Sequence, residues 1–125
     1  MGGRGTFASG INNPYNKYEE IGKISGVKVL KGIQGHHKLP EESRTSRMYI
    51  RVLEDNTFRE LRVYRNNKVA FEIAYHGEVN LTGDRNKNVF HYHIYTQKGG
   101  RSDAIKLSKK QYKKYKKFFG GLKYD

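Results

Sequence analysis

Four stretches of the chain alternate apolar and polar residues with a period of two, and a fifth spaces its aromatics as a helix does. Met48–Leu53 puts Met48, Ile50 and Val52 on one side and Tyr49 and Arg51 on the other. Phe58–Tyr64 turns Leu61 and Val63 inward and Glu60, Arg62 and Tyr64 outward. Val69–His76 separates Val69, Phe71, Ile73 and Tyr75 from Ala70, Glu72, Ala74 and His76. Val89–Thr96, VFHYHIYT, separates Phe90, Tyr92 and Ile94 from His91, His93 and Tyr95. The intervening segments are polar: Glu54–Thr57, Arg65–Lys68 and the longer Gly77–Asn88. Asn66-Asn67 suits a hairpin turn, because asparagine tolerates positive φ. Short turns between successive strands imply an antiparallel meander.

Upstream, Ile21–Ile33 is interrupted by Gly22, Gly26 and Gly32, and reads as one short strand over Val27–Leu30 at a sheet edge. Gln34–Pro40 reads as a loop containing His36-His37, and Glu41–Arg47 as a polar lead into the first clear strand. At the other end, Ser108-Lys109-Lys110-Gln111 fits a capping box. Tyr112, Tyr115 and Phe119 follow at helical spacing beside Phe118, with Lys109, Lys110, Lys113, Lys114, Lys116 and Lys117 around them and Gly120-Gly121 closing the helix.

The expected architecture is therefore α+β: an antiparallel sheet of about four strands with a C-terminal helix packed on one face. Residues 1–20 form a flexible Gly/Asn-rich lead, and 21–125 a single domain. Packing the helix on one face leaves the other open to solvent. That open face would collect Tyr49, Arg51, Glu60, Arg62, Tyr64, Glu72, His76, His91, His93 and Tyr95, provided no strand slips by one residue.

Charge changes the picture. The 125 residues carry a net +13, with 25 Lys and Arg against 12 Asp and Glu, so polyanions are attracted over long range. There is no cysteine, which excludes disulfides and thiolate metal sites and is compatible with the cytoplasm of a bacterial host. No apolar run approaches the roughly 20 residues needed to span a bilayer, and the MGGRGTFASG start lacks a secretory apolar segment, so no membrane association is expected. Met1, Gly2 and Thr6 formally fit a myristoylation pattern, but Gly3-Arg4-Gly5 argues against that use.

Three chemistries suit the polar face. His91 and His93, with His76 or Glu72, have the residue types of a metal site, but no fourth ligand and no HExxH or CxxC spacing is present, so no metal or other cofactor is expected. A metal-independent ribonuclease would use His91 and His93 as acid and base, with Glu72 and Arg62 as supporting carboxylate and cation. A binding surface would stack bases on Tyr49, Tyr64 and Tyr95, and pair phosphates with Arg51 and Arg62 beside His76, His91 and His93. Lys109, Lys113 and Lys116 would extend that footprint. His36-His37 reads as a surface pair.

Gly2-Gly3-Arg4-Gly5 with Ala8-Ser9-Gly10 resembles the GGRG-x-x-x-SG lead of small C-terminal modules of phage head-morphogenesis (minor head) proteins. Pro40-Glu41-Glu42-Ser43-Arg44-Thr45, running into Met48-Tyr49-Ile50, resembles their segment before a strand, and the hairpin and His-x-His strand follow in the same order. The resemblance implies a barnase/EndoU/colicin/RelE-like toxin-type fold acting on RNA, with His91 and His93 as catalytic residues. The chain departs from those modules in lacking their longer histidine run followed by glycine: His91-Tyr92-His93 is followed by Ile94-Tyr95-Thr96. The departure, the charge and the small, freestanding form point to a mobile-element protein that binds RNA or an RNA-guided effector nuclease with its guide RNA and inhibits it, as anti-CRISPR proteins do. The alternatives are the ribonuclease and a phage-particle accessory protein.

Overall fold

β-Branched and aromatic residues alternating with polar ones build seven strands, which a computed structural model joins into one sheet ordered as in the sequence. The structure describes residues 18–32, 47–96, 98 and 100–124. The strands are β1 (Tyr18–Ile24), β2 (Val27–Gly32), β3 (Met48–Val52), β4 (Phe58–Arg65), β5 (Lys68–Gly77), β6 (Asn88–Ile94) and β7 (Ile105–Lys106). Neighbours are antiparallel except β2 and β3, which run parallel. The α+β class and the β3–β6 meander match the sequence expectation. The count of about four strands does not.

Three corrections account for the difference. Tyr18–Glu20, read as part of an irregular lead, belong to β1, where Ile21 is an extra residue between the pairs Glu20↔Leu30 and Gly22↔Val29. That bulge breaks the alternation by which a strand is recognised. β2 is not an edge strand, because β1 hydrogen-bonds to its outer side through a tight turn with positive φ at Ser25 and Gly26. β7 has only two residues, too few to show a period. The phage-like motifs before residue 18 and between residues 33 and 46, and His36-His37, lie outside the described residues.

The Asn66-Asn67 turn is formed as expected, with both residues at positive φ. The segment read as a polar loop after β5 contains a short helix, α1 (Val79–Thr82), stopped by Gly83 in the left-handed region. Helix α2 (Lys109–Tyr115) starts with both halves of the Ser108/Gln111 capping box and continues as a 3-10 turn over Lys116–Phe118. No helix among the described residues is long and apolar enough to cross a membrane.

The main core lies between the sheet and this C-terminal segment. Ile50, Leu61, Ile73 and Phe90 from the strands meet Leu107, Phe118 and Phe119. Phe90 sits at its centre, its ring 4.6 Å from that of Phe119 and 4.5 Å from that of Tyr75. Tyr112 and Tyr115 on α2 are half-buried, so the deepest anchors are the two phenylalanines after the helix. Hydrogen bonds from Tyr112 Oη to the Leu122 carbonyl and from Tyr124 Oη to the Leu107 carbonyl fasten the chain end to the same layer.

Candidate functional site

The strand registers put the predicted polar residues on one side of the sheet, in two adjacent rows. Tyr49, Arg62, Glu72 and His93 are successive partners across β3–β6, and Arg51, Glu60, Ala74 and His91 form the next row. The sidedness inferred from alternation is therefore right for these residues but not for Val69, which a bulge at Val63/Tyr64 turns from the expected core face to the side of Tyr64, and the expected solvent exposure is not found. Tyr49, Arg51, Glu60, Arg62, Tyr64, Glu72, His91 and His93 are all buried, while His76 and Tyr95 are half-buried.

Two features allow this burial. Opposite charges face each other directly: Arg51 Nε donates to Glu60 at 3.1 Å and Arg62 Nε to Glu72 at 3.2 Å, so few charges are stranded away from water. Tyr95 Oη adds a 2.6 Å hydrogen bond to Glu72. Beside these pairs, Leu30, Tyr49, Tyr64 and Val69 form a second apolar cluster, with the two tyrosine rings edge to face at 5.5 Å. The sheet thus has a core on each side.

Burial sets the protonation states. It raises the Glu60 carboxyl, aided by the neighbouring Glu72 charge and opposed by Arg51 and Arg62. Burial also works against Glu72, but Arg62 together with hydrogen bonds from Tyr95 and Arg62 outweighs it and holds that carboxyl below the usual range. Tyr95 is pushed up to about 12, by burial and by its hydrogen bond to Glu72. Burial lowers His76 and His91, favouring neutral imidazoles.

The histidines form a compact group. The His91 ring lies 4.5 Å from that of His76 and 5.5 Å from that of His93, in both cases edge to face. Each ring is oriented through Nδ1: His76 to the Gly77 carbonyl, His91 to the Val89 carbonyl and His93 to the Ser102 carbonyl, at 2.8–2.9 Å. A carbonyl only accepts, so each Nδ1 carries a proton, and in the neutral rings that burial favours at His76 and His91 Nε2 keeps its lone pair. Glu78, overlooked in the sequence because it follows the end of β5, stands beside His91 and His93. Glu72, the carboxylate picked out from the sequence, is instead committed to Arg62 and Tyr95.

The lysines expected to extend a binding footprint lie on the helix side of the sheet, opposite the tyrosine, arginine and histidine face. Lys109, Lys113 and Lys116 are exposed, as are Lys106, Lys110, Lys114, Lys117 and Lys123, and no acidic residue interrupts the sequence from Ala104 to Tyr124. Between α2 and the sheet opens a cleft of about 590 Å³, lined by Phe71, Ile73, Tyr92, Ile94 and Tyr115, with Arg65, Lys114 and Gln111 among its polar walls. Lys114 Nζ lies 5.4 Å from the centre of the Tyr115 ring. Tyr95, which the sequence reading named for base stacking, also lines this cleft, but Phe71, Tyr92 and Tyr115 were not singled out from the sequence as binding residues. Their alternation assigns Phe71 and Tyr92 to the core face, and only the incomplete cover given by a short helix leaves them accessible. Comparison of the chain with protein-family models, with curated proteins and with solved structures finds no match.

Proposed function

We propose that the protein binds single-stranded RNA, free or as the exposed guide of a ribonucleoprotein effector, and inhibits such an effector by occupying that RNA. The observation that carries this reading is the uninterrupted lysine field of residues 106–123 bordering a cleft walled by Phe71, Tyr92 and Tyr115. Lysines supply phosphate affinity without sequence preference. An aromatic-walled cleft between a helix and a sheet is sized for a base, and stacking contributes roughly 1–3 kcal/mol per base. The interface therefore moves from the Tyr/Arg/His face, whose side chains are buried in charge pairs and ring contacts, to the helix side.

Fluorescence anisotropy with a labelled single-stranded RNA tests this. Affinity is expected to fall steeply with salt, and each of Lys113→Ala, Lys114→Ala and Lys117→Ala to lower the log–log salt slope by roughly 0.7 where its lysine meets a phosphate. Tyr115→Ala is expected to cost about ten-fold in affinity with the slope unchanged. Failure to bind RNA or an RNA-guided effector at low salt would remove the proposal. Cleavage of the RNA in EDTA, lost in His93→Gln, would replace it with the ribonuclease reading.

A further inference from the structure

His91 is fully buried, and its Nε2 has no hydrogen-bond partner among the described residues. A buried lone pair left unmatched is costly, and native structures seldom retain one without a reason. The surroundings supply one. The ligand-capable atoms of Glu78, His91 and His93 lie within 4.8 Å of one another. Because both imidazoles spend Nδ1 on a backbone carbonyl, Nε2 is the atom each has left to offer.

From this geometry we infer that Glu78, His91 and His93 form a binding site for a divalent transition metal of the zinc class. His91 and His93 ligate through Nε2 and Glu78 through a carboxylate oxygen. Two imidazoles and one carboxylate make a known ligand set for such ions, with the remaining position open to water. The hydrogen bonds from Nδ1–H to carbonyls are the outer contacts that metal-bound histidines ordinarily have, fixing tautomer and ring orientation. Bond lengths of about 2.0–2.1 Å place ligand atoms roughly 3.4 Å apart, so the group needs only a small contraction.

The backbone around the site suits that role. Ala74 is the partner of His91 on β5 and leaves room for the ring. The Ser102 amide donates to the Ile94 carbonyl, and the Ile94 amide to Ser102 Oγ, which ties down the carbonyl that orients His93. Glu78 precedes α1, its backbone carbonyl accepting from Leu81 and Thr82 while its side chain makes no cap. Next to it, a Cβ on Gly77 would lie 1.6 Å from the Arg85 carbonyl oxygen, so glycine is needed for the following loop to close over this strand end.

The test uses the full chain, stripped with EDTA, dialysed, and titrated calorimetrically with Zn²⁺ alone and with Co²⁺ alone. One equivalent per chain is expected, with a thermal midpoint raised by Zn²⁺ and a visible Co²⁺ spectrum of low coordination number. Glu78→Gln and His93→Gln should each weaken binding at least ten-fold while leaving the circular dichroism unchanged. His36→Ala/His37→Ala should bind as the parent does. Should His93→Gln fail to fold, Glu78→Gln, at a half-buried position, decides alone. Absence of saturable binding (water alone on His91), binding that survives Glu78→Gln, or binding lost with His36 and His37 would each overturn the inference.

Discussion

Glu72→Ala is expected to destabilise the protein by about 3–5 kcal/mol, the usual cost of removing one partner of a buried ion pair. Glu72 is 4% exposed and accepts hydrogen bonds from Arg62 Nε and Tyr95 Oη. Its loss leaves the 7%-exposed Arg62 guanidinium without this counter-charge. Urea denaturation should show the effect as a lowered midpoint with little change in slope. Replacing both partners, as Arg62→Met/Glu72→Leu, should recover most of the loss, because the desolvation cost of both charges disappears with them. A loss below about 1 kcal/mol in Glu72→Ala, a size typical of exposed pairs, would mean that water reaches this row. The pH dependence has a definite sign. Glu72 is held below its ordinary pKa, so the stability it contributes is present above that value and is lost as pH falls through the folded one. Glu60 is shifted up and works in the opposite sense. Glu72→Gln should therefore flatten the acid limb of a stability profile.

Phe119→Ala should cost a similar amount, about 3–5 kcal/mol, by leaving a cavity in a layer that cannot fully collapse. Phe119 has no exposed surface, and its ring lies 4.8 Å from that of Phe58, 4.6 Å from Phe90 and 5.7 Å from Tyr112. Because Tyr112 and Tyr115 are only half-buried, Phe119 and Phe118 hold the lysine-bearing segment onto the sheet. The substitution should therefore also weaken RNA binding without altering a single charge. Phe119→Leu, which keeps most of the volume, should lose much less. Near-ultraviolet circular dichroism and denaturation of the two variants check this. A loss under about 1 kcal/mol in the alanine variant would show that the segment is held elsewhere.

Much of the sheet was legible because alternation reports which side of a strand a residue takes. β3 to β6, the Asn66-Asn67 turn and the Ser108 capping box all follow from local chemistry that tertiary contacts did not override. Alternation does not report exposure. That Arg51 meets Glu60 and Arg62 meets Glu72 depends on register between strands, and with those pairs formed a face of tyrosines, arginines and histidines becomes a second interior. β1 escaped because Ile21 bulges out of the period, and β7 because two residues have no period. Glu78 escaped for a different reason: it belongs to no strand and reaches the histidines only because β5 and β6 are neighbours. The cleft depends on the helix stopping short of covering Phe71 and Tyr92, which is a matter of length.

The parallel seam between β2 and β3 has a consequence for how the sheet assembles. Every other neighbouring pair in the described sheet is antiparallel, and two of them, β1–β2 and β4–β5, are closed by two-residue turns, whereas parallel strands cannot be joined in that way. Non-local pairing meets its closure entropy before it gains contacts. The β3–β6 meander therefore has the local contacts to form as one cooperative unit, and the β1–β2 hairpin adds to its completed edge. In the folded state the same seam is the expected boundary between two cooperative units. Native-state hydrogen exchange should reveal a partial opening in which amides of β1 and β2 exchange together at a lower free energy than those of β4 and β5. Equal protection on both sides of the seam would make the seven strands a single unit instead.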